Sequence, residues 1–424
     1  MSVTLFVLLF CFFCLLIIFL PISFCIGLSS IAALLVKGGI TLQVVPQRIF
    51  TSLDSFTLLS IPLFILVGDV MIEGGIAKRL IALANSIVGR SKSGVSYVTI
   101  IASAFFGAIS GSAIATTSAI GGLMYPEMVK KNYDKSFAAG VGAASGTLGI
   151  LIPPSIAFIV FGTQTGTSVT SLFMCGAVVG IIVTILYMVA SYMYLRKKAI
   201  IVDTEIHTAG TRWKAFREAF WGLLAPVIIL GGIYSGKFTA TESAVVAVVY
   251  CIVIGFFVYR ELTVKKLVEI TIKSAVSSAA ILLLIGTAQL FSWIMTVENV
   301  GGALENVIAH SGLNTLTFLL VVNIIYLIFG MLMETIPIII LTAPIMFPIA
   351  CAFGIDPVHF GVITVVNLAF GLYTPPFGTC LFMANSYSKQ PVLDIVAKSR
   401  NFYLFGLIGI LLVTYFPNIY LWIK

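Results

Sequence analysis

Two proline pairs in apolar surroundings decide the fold of this chain. Residues 146–155 read GTLGILIPPS, and residues 371–379 read GLYTPPFGT. A proline lacks a backbone N–H and its ring clashes with the preceding helical turn, so two in succession interrupt a helix. Within a bilayer, the carbonyls freed by such a break must find other partners or line a cavity. Each stretch therefore predicts a broken membrane helix, at 136–163 and at 358–385.

The composition indicates that nearly the whole chain lies in a membrane. Of its 424 residues, 60% are hydrophobic and 9% are charged, against roughly 45–50% and 25% in soluble domains. Apolar stretches of about 17 residues or more recur, each long enough to cross a hydrocarbon core as a helix. The net charge of +8 comes from lysines and arginines in short loops, where they orient membrane helices. We therefore expect a multi-pass membrane protein without a nucleic-acid partner.

The reactive side chains do not indicate an enzyme. The seven cysteines and three histidines are dispersed along the chain, whereas zinc sites and disulfide frameworks need clustered ones. The apolar segments contain no set of nucleophile, base and orienting group. Residues 231–237 match the phosphate-loop pattern G-x-x-x-x-G-K, but Phe238 replaces the hydroxyl that binds magnesium and no strand precedes the loop. We predict no catalytic residue, no cofactor and no use of ATP.

An internal repeat organises the chain. The two Pro-Pro pairs are separated by 222 residues. The same separation relates three further pairs, namely Pro126 and Pro348, Asp134 and Asp356, and Gly149 and Gly371. Each half contains the same order of segments with an odd number of crossings, so the second copy must be inverted in the membrane. Inverted repeats with broken helices are typical of secondary transporters.

The repeat divides the chain into two halves, 1–215 and 216–424. The first half contains helices within 3–72, an amphipathic segment at 76–88, an interrupted segment at 93–128, the broken helix at 136–163, a closing helix at 171–195 and a loop at 196–215. The second contains helices within 216–290, an interrupted segment at 314–353, the broken helix at 358–385 and a closing helix at 402–422. About ten crossings result if residues 3–36 form two helices; one long tilted helix is the alternative, since only Pro21 divides them.

The two interrupted segments are predicted to be hairpins that enter the membrane from opposite sides. The first breaks at Ser110-Gly111-Ser112. It is preceded by Arg90 and Lys92 and followed by Lys130 and Lys131. Its ends should therefore face the cytoplasm. The second breaks at Glu334-Thr335 and has no lysine or arginine at its ends, which places them on the outer face.

The breaks and hairpin tips supply the groups that could bind ions and an anion. Freed carbonyls and hydroxyls suit a hard cation such as sodium, and the N-terminus of each resumed half-helix favours an anion. The candidate residues are Ser110, Gly111, Ser112, Ser145, Gly146, Thr147, Gly149, Pro153 and Pro154 in the first half, and Glu334, Thr335, Asn367, Gly371, Thr374, Pro375, Pro376, Gly378 and Thr379 in the second. We assign one sodium site to Ser110, Ser112 and Thr147, and another to Asn367, Thr374 and Thr379. The alternative is that the breaks are packing kinks and the hydroxyls bond to their own helices.

With these features the chain resembles the large membrane subunit of the tripartite ATP-independent periplasmic (TRAP) transporters. The similarity extends over both halves. The matching stretches are 60–68 (SIPLFILVG), 74–80 (GGIAKRL), 110–113 (SGSA), 152–155 (IPPS), 226–234 (PVIILGGIY), 236–242 (GKFTATE) and 354–361 (GIDPVHFG).

The resemblance implies an inverted-repeat fold of the ion-transporter superfamily, in which a transport domain moves as an elevator against a scaffold. The scaffold helices would lie within 3–72 and 216–290, and the segment 76–88 would be an interfacial arm. It also implies a bacterial inner-membrane location and sodium as the coupling ion. Implied partners are a small four-helix membrane subunit on a separate chain and a periplasmic substrate-binding protein. Implied substrates are small organic anions such as C4-dicarboxylates, sialic acid and other sugar or keto acids.

Two other functions remain open at this point. One is a sodium-coupled symporter or antiporter of the wider superfamily that works without a binding protein. The other is an integral membrane enzyme, for which the sequence offers no catalytic set. Uptake that requires added binding protein would support the TRAP interpretation, uptake without it the symporter, and product formation without transport the enzyme.

The charge distribution generates a topology prediction. Residues Lys130, Lys131 and Arg196–Lys198 should be cytoplasmic, while the loops near 164–168 and 355–358 should be periplasmic, because positive residues accumulate inside. In intact cells, a membrane-impermeant thiol reagent should modify Gly166→Cys and leave Lys197→Cys unmodified. Labelling of Lys197→Cys from outside would contradict the orientation.

Overall fold

The computed structural model describes residues 2–88, 91–198, 200–201, 209–302 and 314–424. All regular secondary structure in these ranges is helical. This agrees with the predicted all-α class, and the physical reason is that a helix satisfies its backbone hydrogen bonds internally in lipid.

The helices of the first half follow the predicted order. They are α1 Val3–Ile17, α2 Ile22–Lys37, α3 Val44–Leu53, α4 Ser60–Glu73, α5 Ile76–Val88, α6 Gly94–Ser110, α7 Ala113–Thr116, α8 Gly122–Lys130, α9 Lys135–Gly146, α10 Leu148–Leu151, α11 Ile156–Thr165 and α12 Val169–Leu195. A π-helical turn at Thr117–Gly121 joins α7 to α8. Residues 3–36 thus form two helices, and the chain turns between them before Pro21.

The helices of the second half repeat this order. They are α13 Ala209–Tyr234, α14 Ala240–Val253, α15 Val264–Val297, α16 Thr315–Leu332, α17 Thr335–Ala352, α18 Pro357–Gly371, α19 Thr379–Ser388, α20 Val392–Lys398, α21 Arg400–Tyr415 and α22 Asn418–Leu421. Helix α13 begins at Ala209, so the predicted loop 196–215 is shorter than expected. The part of that loop at 202–208 lies outside the described residues.

The number of crossings depends on how bent helices are counted. By length and apolarity, six helices in the described ranges are able to cross a membrane, or up to nine if each bent pair is one span. The prediction of about ten also counted α1 and α2, which are 15 and 16 residues long. At about 1.5 Å per residue, such helices reach some 22–24 Å, which is less than the roughly 30 Å of a typical hydrocarbon core.

The packing of the broken helices shows that the two halves are inverted. Helix α9, the first part of one broken helix, packs against α19, the second part of the other. Helix α11, the second part of the first, packs against α18. The first part of each broken helix thus lies beside the second part of the other. Two equivalent helices that pack in this way run antiparallel, as an inverted repeat requires.

Equivalent residues at the separation of 222 also have equivalent structural roles. Asp134 and Asp356 are the N-caps of α9 and α18, and each carboxylate accepts backbone N–H bonds from the first turn. Ser112 and Glu334 are the N-caps of the second helix of each hairpin. The repeat seen in the sequence therefore extends through the hairpins.

Ion pairs join residues that the predicted topology places on the same side. On the predicted inner side, Lys266 lies 3.7 Å from Glu73, Arg79 lies 2.7 Å from Glu261 and Lys398 lies 3.8 Å from Asp134. On the predicted outer side, Lys37 pairs with Glu298 and Lys424 pairs with Asp356. Lys37, a lysine that this topology places on the outer side, thus has a carboxylate partner.

Close glycine contacts seat each hairpin on its broken helix. A Cβ on Gly107 of α6 would lie 2.7 Å from the Cα of Gly149 in α10. In the second half, a Cβ on Gly371 of α18 would lie 2.5 Å from the backbone of Gly330 in α16. Both contacts bring backbone against backbone, which only small residues allow.

We predict that Gly371→Ala destabilises the fold, because the neighbouring backbone cannot move aside as a flexible side chain could. The expected loss is about 1–3 kcal/mol, the usual cost of overpacking. Gly231→Ala is the matched control, since a Cβ at Gly231 meets nothing within 4 Å. Denaturant unfolding in detergent measures both, and equal stability of the two variants would contradict this contact.

Candidate functional site

The first hairpin tip is a tight, hydroxyl-rich turn. Helix α6 ends at Ser110, Gly111 adopts the left-handed conformation with φ 60°, and Ser112 is extended and caps α7 by accepting from the Ala115 N–H at 3.3 Å. The Ser110 hydroxyl lies 3.1 Å from that of Thr116, which donates to the Ser112 carbonyl at 2.7 Å. Glycine suits this turn because it adopts positive φ without strain.

The first break is bridged by one buried side chain. The Ser155 hydroxyl donates to the Ile150 carbonyl at 2.6 Å and accepts from the Phe158 N–H at 3.4 Å. It thus satisfies a carbonyl freed by Pro153-Pro154 and caps α11. The first hairpin tip rests directly on this break, because a Cβ on Gly111 would lie 2.8 Å from the Pro154 carbonyl oxygen.

The second half repeats this arrangement with different chemistry. Met333 and Glu334 form a two-residue extended connection between α16 and α17. The Glu334 side chain makes no capping hydrogen bond and is exposed, whereas Thr335 is buried. At the second break, the Cys380 N–H donates to the Leu372 carbonyl at 2.9 Å. A Cβ on Gly378 would lie 2.6 Å from that carbonyl oxygen.

Both hairpin tips open into one cavity of about 490 Å³ between the two halves. Its walls include Ser110, Gly111 and Ser112 from the first tip and Glu334 and Thr335 from the second. Helices α4 and α15 complete the wall, and α4 also touches the first tip, since a Cβ on Gly68 would lie 3.1 Å from the Ser110 Cα. A cavity of this size suits a small organic ligand.

Three helices begin at this cavity. Its lining contains the first residues of α7, α11 and α17, namely Ala113, Ile156 and Thr335. Unpaired N–H groups and the partial positive charge at a helix N-terminus favour an anion. The cavity is therefore lined by the N-termini of three helices, of which α7 and α11 are capped by Ser112 and Ser155.

The sequence reasoning missed an ion pair in the wall formed by α4 and α15. Lys273 of α15 lies 3.3 Å from Asp69 of α4, and the Ser274 hydroxyl donates to the other Asp69 oxygen at 2.8 Å. Asp69 lies in an apolar stretch of the predicted helices within 3–72 and is not among the candidate residues. The available signal for Lys273 was its position inside the membrane-spanning stretch 267–290, since charge within a membrane segment is a functional hypothesis by default.

Several candidate residues lie beside the cavity and not in its wall. Thr147 is buried, donates to the Ala144 carbonyl at 2.7 Å and lies 3.3 Å from the Tyr187 hydroxyl. Ser145 accepts from Ser103 at 3.1 Å. Gly146 and Gly149 provide space for the first hairpin, since a Cβ on either would overlap a hairpin threonine hydroxyl. The structure therefore does not bring Thr147 into hydrogen-bonding contact with Ser110 or Ser112.

The second half contains buried oxygens without a hydrogen-bond partner. Among the described residues, these include Thr335 Oγ1, Asn367 Oδ1 and Thr379 Oγ1. The Asn367 amide nitrogen donates to Asn323 Oδ1 at 2.7 Å, which leaves its oxygen free to face elsewhere. Thr374, by contrast, donates to the Phe370 carbonyl at 2.7 Å. Unpartnered buried oxygens are rare in native proteins and call for an explanation.

No cluster of three or more histidine, cysteine, aspartate or glutamate side chains suitable for a metal ion occurs in the described ranges. The oxygens available at the tips and breaks are hydroxyls, an amide and carbonyls. Such neutral oxygens are ligands for a hard monovalent or divalent cation and not for zinc or copper.

Comparison with known proteins identifies the family. The sequence pattern of the family "Tripartite ATP-independent periplasmic transporter, DctM component" matches residues 9–419. The chain belongs to this family. It is 38% identical over 395 residues to the C4-dicarboxylate TRAP transporter large permease protein DctM of Pseudomonas aeruginosa, covering 93% of this chain and 92% of that protein.

Other TRAP permeases carry different substrate names. The sialic acid large permease SiaM of Vibrio cholerae is 35% identical over 372 residues, 88% of this chain and 87% of that protein. The isethionate permease DctMQ of Oleidesulfovibrio alaskensis is 38% identical over 404 residues, 95% of this chain and 64% of that protein. This TRAP large permease is thus a multi-pass membrane protein of a transporter family.

A solved structure supports the fold at greater sequence distance. The YdaH transporter of Alcanivorax borkumensis, whose topology is described as unusual, superposes with a TM-score of 0.63 at 14% identity. The match covers 89% of each chain.

Proposed function

We propose that this TRAP permease imports a small organic anion together with sodium ions through an elevator movement. The observation that carries this proposal is the single cavity at which both hairpin tips, three helix N-termini and Lys273 meet. The family is one of transporters, so the task of these groups is reversible binding and not bond breaking.

The cavity favours an organic acid as the substrate class. Converging N–H groups and an ammonium are complementary to a carboxylate or sulfonate. The names of the similar permeases, for C4-dicarboxylates, sialic acid and isethionate, share an acidic group on a small polar molecule. The apolar residues beside the tips, such as Ile65, Ile281 and Leu284, would contact the carbon skeleton.

Sodium coupling is supported by the oxygens near the tips and breaks. Asn367 Oδ1 and Thr379 Oγ1 are buried without partners, and a sodium ion would satisfy both. In the first half, Ser110, Thr116 and the Ser112 carbonyl already form a compact group of oxygens. Each net positive charge carried inward contributes about 2.3 kcal/mol per 100 mV, which is enough to drive accumulation of an anion.

The movement we propose follows from which parts pack together. Hairpin helix α6 packs on α9 and α10, and hairpin helix α16 packs on α18. Each tip would therefore move with its own break, relative to α4 and α15, which also line the cavity. A small membrane subunit and a periplasmic binding protein in a bacterial inner membrane complete the proposed system.

The direct test is uptake of labelled succinate, N-acetylneuraminate and isethionate into proteoliposomes containing the permease and the small membrane subunit. We expect that at least one of these acids is taken up, and that its uptake requires both a sodium gradient and the binding protein. Full uptake without binding protein would favour the symporter alternative. Full uptake in sodium-free medium driven by protons alone would contradict the coupling.

We predict that Thr379→Val raises the sodium concentration for half-maximal uptake about tenfold to a hundredfold, because a contact to a charged group is worth about 1.5–3 kcal/mol. Ser112→Ala should act in the same direction at the other site. The matched control is Thr364→Val, whose buried hydroxyl already bonds to the Phe360 carbonyl at 2.9 Å. If Thr379 only packs, loss of its unpartnered hydroxyl leaves sodium dependence unchanged.

A further inference from the structure

The ion pair between α4 and α15 consists of one fixed and one free partner. Asp69 is held through its second oxygen by Ser274, and its side chain is 18% exposed. The Lys273 side chain is 72% exposed and reaches Asp69 at 3.3 Å. The carboxylate is therefore anchored between α4 and α15, whereas the ammonium is on a flexible and mostly exposed side chain.

Such a pair exchanges partners at little cost. An ion pair with an exposed lysine contributes little to stability, because water screens the ammonium and the long side chain must be ordered. The Lys273 ammonium can therefore leave Asp69 for another anion without disturbing the packing of α15. Asp69 keeps its bond from the buried Ser274 when this happens.

Lys273 is also the cation of the cavity. Of the described residues that line it, the charged ones are Asp69, Lys273 and Glu334. An organic anion entering this space meets two carboxylates and one ammonium. Without that ammonium, the net charge of these groups would repel an anion.

We propose that Lys273 binds the acidic group of the substrate, and that Asp69 is the resting counter-ion from which substrate displaces it. This inference rests on the proposed function and names the residue that makes the site selective for an anion. It also assigns Asp69 a competing role: the aspartate holds the ammonium in place when the cavity is empty and weakens binding of the substrate.

A simpler role for Lys273 is that of an interfacial lysine. Helix α15 has 34 residues and at 1.5 Å per residue extends about 51 Å, so its first turns can reach beyond the hydrocarbon. Lys266, two turns earlier, is a matched control for this role. It lies 3.7 Å from Glu73 and does not line the cavity of the hairpin tips.

The experiment measures stabilisation by substrate of the purified complex with the small subunit, in saturating sodium chloride. The probes are succinate, N-acetylneuraminate and isethionate, and the readout is the concentration giving half of the maximal rise in unfolding temperature. Wild type is compared with Lys273→Gln, Lys273→Arg, Asp69→Asn and Lys266→Gln. The unfolding temperature without acid reports whether each variant is folded.

We expect Lys273→Gln to raise the half-saturating concentration about tenfold to a hundredfold, and Lys273→Arg to retain most of the affinity. Asp69→Asn should lower the half-saturating concentration about two- to fivefold, by removing the competing charge. Lys266→Gln should leave the half-saturating concentration unchanged. Unchanged binding in Lys273→Gln would overturn the role of Lys273, and weaker binding in Asp69→Asn that of Asp69. If no acid stabilises wild type, the proposed function fails instead.

Discussion

Backbone groups that lie within a bilayer must be satisfied by the protein, and this constraint explains the form of the structure. Two Pro-Pro pairs remove helical hydrogen bonds in the middle of apolar segments. The chain compensates locally, through the Ser155 hydroxyl at the first break and the Cys380 N–H at the second. The hairpins also pack directly on the breaks, since a Cβ on Gly111 would lie 2.8 Å from the Pro154 carbonyl oxygen and one on Gly371 would lie 2.5 Å from the Gly330 backbone. The cavity lies where these unusual backbone segments meet, because only there is irregular backbone tolerated.

Inversion makes the halves alike in backbone and different in chemistry. At the separation of 222, Ser112 corresponds to Glu334 and Ser145 to Asn367. The cap positions are preserved, but where the first half has a hydroxyl, the equivalent position of the second half has a carboxylate or an amide. In the first half, Ser145 and Thr147 have hydrogen-bond partners, whereas Asn367 and Thr379 in the second half have oxygens without one. Among these four residues, the buried oxygens without a partner are therefore in the second half.

Much of the fold could be predicted from the sequence because its signals are local. Proline pairs mark breaks, glycine between serines marks a tip, and the constant separation of equivalent residues marks the repeat. The short helices α3 and α20 were not predicted, because neither is a long apolar run. The contact between Asp69 and Lys273 joins residues 204 positions apart, and no local pattern specifies it. Thr147 was grouped with the first tip because each break was expected to line a site with the hairpin of its own half, but its hydroxyl donates to the Ala144 carbonyl.

The central claim is that the hairpin tips must leave α4 and α15 during transport. A Cβ on Gly68 of α4 would lie 3.4 Å from the Ser110 Cβ at the first tip, close to the spacing of a disulfide. The most direct measurement is uptake by the Gly68→Cys/Ser110→Cys double variant, in a background without the seven native cysteines, before and after oxidation. The account predicts that the cross-link forms, that it abolishes uptake and that a reducing agent restores it, while the single variants are insensitive. Undiminished uptake with the cross-link complete would contradict it.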